Sequence, residues 1–191
     1  MRGCAAPDAD FAKIAEETKR LEMGAGLDSG AEDGEGLRLL GSEEAGGYGA
    51  RYFVEKPVVP PDRIVANLEF EMIGRPDGSI AAHTLWLTGW DRTNLGPELA
   101  SHGARLVADP HPAENFFMRS DNITLARRGV VAQTVSSFGL HADYHQPSHD
   151  ITHIDFGHMT QAIQSMLAPI RWLADSSFKP DWVQGGRPPA N

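Results

Sequence analysis

From residue 37 onward, short apolar runs alternate with amphipathic stretches, and few architectures accept that alternation. Residues 63–73 and 82–88 read as strands, 94–102 as a helix and 104–108 as a short strand. Residues 120–128 read as helical, and the apolar run 130–135 as another strand. The clearest element comes last. Asp155 can cap a helix that runs to about Ala174, with Phe156, Met159, Ile163, Met166, Leu167, Ile170 and Leu173 as its apolar stripe and Pro169 as a point of kinking. Pro57, Pro60 and Pro61 mark a loop before the first of these strands, and Gly74 to Gly78 a turn after it. The pattern predicts a layered α/β sandwich, with functional residues on the loops at strand ends.

The first 36 residues break this pattern. Residues 10–23 carry only a thin apolar stripe (Phe11, Ile14, Leu21), and 24–36 are rich in Gly, Asp and Glu. They read as a poorly ordered leader, followed by a domain over 37–183 and a disordered tail over 184–191. Residues 1–45 hold eleven acids and five bases, most of the net charge of −9. The body is nearly balanced, and no basic stripe points to nucleic acid. Cys4 is the single cysteine, which excludes an internal disulfide and a cysteine-rich metal centre. No apolar run has membrane-spanning length, and the N-terminus lacks the apolar stretch of a signal peptide.

Four segments carry groups suited to catalysis. Glu43 and Glu44 follow the apolar run Leu37-Arg38-Leu39-Leu40, and a helix begins near Tyr48. Adjacent acids at a strand-to-helix corner can divide labour, one binding a metal and the other acting as general base toward a metal-bound water. The alternative is a solvated acidic turn. Glu69 and Glu71 share one face of the strand over 63–73, either as surface acids or as members of a site at its C-terminal end. In Arg119-Ser120-Asp121-Asn122, Ser120 or Asp121 can cap the following helix. His141, His145, His149 and His153 recur every four residues and would share a helical face, but Pro147 argues for a loop. One or two of these imidazoles then converge on a site.

The segments Gly41-Ser42-Glu43-Glu44, Asn67 to Arg75 (NLEFEMIGR), Phe117-Met118-Arg119-Ser120-Asp121-Asn122 and Asp143-Tyr144-His145-Gln146-Pro147 resemble, in order, blocks of the co-catalytic zinc exopeptidases. That family includes bacterial leucyl aminopeptidases, glutamate carboxypeptidase and glutaminyl cyclases. The resemblance covers residues 37–183 and implies a phosphorylase/hydrolase-like α/β sandwich whose N-terminal part is missing. It makes Glu43 the general acid/base and Tyr144 an oxyanion donor. Glu44 and His145 match the ligands of one zinc, and Glu71 matches a ligand of the other, where many members have Asp. Ser120, Asp121 and Asn122 match a substrate-side loop, where many members have His in place of Asn122. The implied substrate is a peptide with a free N-terminus.

The family's upstream histidine ligand has no counterpart, because His83 is the first histidine in the chain. Asp33 lies too close to Glu43 to serve as the bridging aspartate. The expectation is therefore a C-terminal half of such an enzyme, preceded by unrelated sequence and weakly active or inactive, with at most one of the family's two zinc ions. Two alternatives are a non-catalytic remnant or interaction domain, as in transferrin-receptor-like relatives, and a glutaminyl-cyclase-like acyltransferase. Relatives are often exported, but the sequence sets neither location nor oligomeric state.

Overall fold

A computed structural model describes residues 48–190. Contacts divide the chain into two units, Met1–Val59 and Pro60–Asn191. Within the described part of the first, α1 spans Tyr48–Glu55, the helix start expected near Tyr48.

The second unit is built on a four-stranded mixed sheet. Its strands are β1 (Asn67–Phe70), β2 (Leu85–Leu87), β3 (Leu106–Ala108) and β4 (Ala132–Ser136), in the spatial order β1-β4-β2-β3. β1 runs parallel to β4, with Asn67 opposite Ala132 and Phe70 opposite Val135. β4 is antiparallel to β2, and β2 is parallel to β3. Both inner strands are buried along their whole length; β2 is apolar throughout, whereas β4 also buries Gln133, Thr134 and Ser136. All four strands are shorter than expected, β1 and β2 most of all. Pro61–Arg63 forms a 3-10 turn ahead of β1, because Pro60 and Pro61 supply no backbone donor for a sheet. Ahead of β2 the Thr84 amide closes a turn on Ala81 O.

Strand alternation sends side chains to two separate layers. Leu68 of β1 and Val135 of β4 join a core with Leu85, Leu87, Leu99 and Met166. That layer holds α2 (Leu95–Ser101) and α5 (Phe156–Asp175), which contact each other. On the other face Ala132 packs with Phe117, Ile123, Ala126 and Val130, from α3 (Phe116–Arg119), α4 (Asn122–Arg127) and the turn after it. Glu69 and Thr134, one residue out of phase with Leu68 and Val135, point to this second layer, where they bond each other.

α5 begins as expected, with the Asp155 carboxylate accepting from the His158 amide at 2.8 Å. Its buried stripe is rotated from the expected one. His158, Ala162, Met166 and Pro169 are buried, whereas Phe156 and Leu167 are about 60% exposed (58% and 61%). The burial of His158 has a polar cause. Ser137 Oγ donates to Arg75 O at 2.6 Å and is left to accept from His158 Nε2 at 3.1 Å. Burial, more than any neighbouring charge, pushes the His158 imidazole below its usual pKa. Pro169 sits inside one continuous helix.

Residues 184–190, read from sequence as a tail, pack back with Gly186 and Pro188 buried. The Val183 amide donates to Arg92 O at 2.9 Å, and Arg92 Nη1 donates to Gly186 O at 3.0 Å. Among the described residues no helix is long and apolar enough to cross a membrane.

Candidate functional site

β1 and β4 end side by side, and the start of α4 lies against them. Glu71 follows β1 directly, and its amide extends the ladder by donating to Val135 O at 3.1 Å. Ser120 Oγ donates to Glu71 Oε1 at 3.1 Å, so two sequence-separated candidate residues meet. Ser120 does not cap α4 through its side chain, and neither does Asp121. The capping alternative is thereby corrected. The Ser120 hydroxyl proton is committed to the Glu71 carboxylate, a charge-assisted pairing.

Behind this contact lies a buried polar network. Asn122 is 1% exposed. Its Nδ2 donates to Phe117 O at 3.3 Å and to Ala132 O at 3.2 Å, tying α3 to β4. Its backbone amide donates to Glu69 Oε2 at 3.2 Å, and Thr134 Oγ1 lies 3.0 Å from both Glu69 Oε2 and Asn122 Oδ1. Glu69 is thus an internal acceptor that fixes the start of α4, and hence Ser120. The sequence marks its facing with Glu71 but not its partners.

Desolvation raises the Glu69 carboxyl above its usual pKa, outweighing the hydrogen bonds from Thr134 and Asn122 that lower it. Between the unfolded value and the raised folded value, the native state binds more proton than the unfolded chain. The group's stabilising contribution is therefore fully present below the unfolded value and is lost as pH rises through the raised one. Glu69→Gln keeps an oxygen to accept both bonds and removes the buried charge. Urea unfolding should find this variant equal to the native chain in acid and more stable near neutral pH, with a flatter pH slope. A variant less stable at neutral pH by more than about 1 kcal/mol would contradict this role.

Tyr144 and His145 lie on the loop after β4, as Pro147 indicates. Their rings are 3.8 Å apart, and Tyr144 also leans on Phe138 at 4.7 Å. His145 holds a left-handed backbone conformation (φ +57°), strained for a side chain of its kind. The loop is anchored by Asp143, which accepts from Arg75 Nη1 at 2.9 Å and from Ser148 Oγ at 2.8 Å. Those two bonds, Ser148 first, hold the Asp143 carboxyl below its usual pKa. Arg75 comes four residues after Glu71 and Asp143 two before His145, so this ion pair joins the chain segments of both candidate ligands. His141 and His149 pair with each other at 4.9 Å between ring centroids.

The fourth segment, with Glu43 and Glu44, lies outside the described residues. Among the described residues no three His, Cys, Asp or Glu side chains form a group able to hold a metal ion. Glu71 and His145 offer donor types that suit zinc, but the described residues do not by themselves fit a zinc ion.

The sequence model of peptidase family M28 matches residues 29–170. The chain belongs to this family. The match takes in all four segments named above, and it begins within the stretch that reads as a leader. A solved structure, an aminopeptidase from Aneurinibacillus sp. strain AM-1, has a similar fold, with a TM-score of 0.52 at 15% identity. The similarity covers 80% of this chain and 35% of that one, so the M28 chain described here spans about a third of that aminopeptidase's length. No curated protein matches the sequence. The mixed sheet flanked by helices agrees with the layered α/β fold expected of an M28 peptidase domain.

Proposed function

We propose that this M28 chain carries the downstream part of an aminopeptidase-type zinc site and is weakly active or inactive by itself. The observation that carries the reading is the Ser120–Glu71 hydrogen bond. It joins two of the family-like blocks at the C-terminal end of a strand, where α/β folds place their sites. In this proposal Glu44 and His145 hold at most one zinc, which would polarise a peptide carbonyl. Glu71 is kept oriented by Ser120, and Glu43 serves as general acid/base. Tyr144 donates toward the oxyanion, and Ser120, Asp121 and Asn122 shape the substrate side from behind. The substrate is a peptide with a free N-terminus.

A non-catalytic role is the second reading, favoured by the absence of any histidine before His83. Assay of the chain with aminoacyl-nitroanilides and zinc should show turnover lower by more than about 100-fold than a complete two-metal site. Losses of 10–100-fold follow even from changes around such ligands. Robust, chelator-sensitive cleavage abolished by Glu43→Gln would overturn the weak-activity reading. Weak, zinc-dependent cleavage lost in Glu43→Gln supports the first reading, and none at all supports the second.

A further inference from the structure

At the opposite end of β1 and β4 the protein has a second, unrelated cleft of about 790 Å³. It opens where residues 63–65 lead into β1 and residues 128–131 lead into β4, whereas Glu71 and Ser120 lie beyond the other end of β1. Arg63, Arg128, Lys179 and Arg187 all line it. Among the described residues none of these four side chains has a hydrogen bond or ion pair. Two acids, Asp62 and Asp181, also line the cleft, but Asp181 is used locally and accepts from the Trp182 amide at 2.8 Å.

The arrangement is held in place by packing. Gly129 adopts φ +97°, and an added Cβ there would come within 2.9 Å of Arg187 Nη2. The guanidinium therefore rests on a residue without a side chain. Trp182 Nε1 donates to Gly129 O at 3.1 Å and pins the same turn from the cleft wall. The docked segment around Gly186 holds Arg187 from the other direction. Four exposed cations against two acids leave the cleft with a net positive charge, which favours an anion.

We propose that this cleft binds a phosphate-class oxyanion, free or carried as a phosphomonoester, between Arg63, Arg128, Lys179 and Arg187. Guanidinium forks match phosphate oxygens, and several cations lining one cleft suit a multiply charged anion better than a single carboxylate. The volume is that of a small-molecule site. The chain's net charge of −9 disfavours an extended polyanion.

The test is calorimetric titration of the whole chain with inorganic phosphate, pyrophosphate and phenyl phosphate at about 0.15 M salt, where weak surface attraction is screened. Saturable one-to-one binding is expected. The double variant Arg128→Gln/Arg187→Gln should weaken it by at least about tenfold, through loss of charge-assisted hydrogen bonds, with an unchanged melting temperature. Arg171→Gln, on the exposed side of α5, should leave it unchanged. Tighter binding of phenyl phosphate would identify an ester, and equal or tighter binding of the inorganic anions a free oxyanion; both support the site. No saturable binding overturns the proposal. So does binding that survives the double variant, or that falls equally in Arg171→Gln. Lys179→Gln, measured alone, replaces the double variant if that protein does not fold.

Discussion

Asn122→Ala should destabilise the protein by about 3 kcal/mol or more in urea unfolding. The side chain has almost no contact with solvent, and its amide serves three groups at once. Alanine leaves Phe117 O and Ala132 O without their side-chain donor and takes an acceptor from Thr134. Each buried polar group so exposed to a lost partner costs roughly 1–3 kcal/mol. The loss should also loosen Ser120, because the Asn122 amide anchors the start of α4 on Glu69. A loss below about 1 kcal/mol, the worth of one ordinary hydrogen bond, would contradict the network.

His111→Ala should cost as much or more, about 3–5 kcal/mol, by the logic of a broken buried pair. The Asp77 side chain is 1% exposed, and its Oδ2 meets His111 Nε2 at 2.7 Å. Its other oxygen accepts from the Ser79 amide at 2.8 Å. Removing the imidazole leaves one carboxylate oxygen enclosed, with Gly139 packed against the Asp77 backbone. The imidazole also lies edge-on to the stacked rings of Trp86 and Phe116, contacts that alanine would lose. His111→Gln can still offer a donor and should lose less. Equal losses for the two variants would mean that packing, not the carboxylate contact, sets the cost.

How legible these features are in the sequence depends on how local their causes are. The start of α5 is legible because Asp155 and the His158 amide are three residues apart. The loop character of the histidine segment is legible because Pro147 acts on its own turn. The phase of α5 is not. Its apolar residues cover more than half the circumference, and long-range contacts such as Ser137–His158, across 21 residues, and the packing of Ala162 and Met166 accompany the part that turns inward. The pairings of Glu69 with Asn122 and Thr134 span 53 and 65 positions, and that of Arg75 with Asp143 spans 68. No spacing rule reaches so far. The ordered blocks single out Glu71, Tyr144 and His145 as candidates, and the structure adds that Ser120 meets Glu71 and that the Tyr144 ring lies tilted beside that of His145. Glu43 and Glu44 lie outside the described residues, so their roles rest on the family.

Zinc stoichiometry tests the central claim most directly. The purified chain, stripped with chelator and titrated with zinc, should bind less than two equivalents, with Glu44→Ala and His145→Ala each removing what binding there is. Two tight equivalents by metal analysis would contradict the account, since they would require more ligands than Glu44, Glu71 and His145 supply.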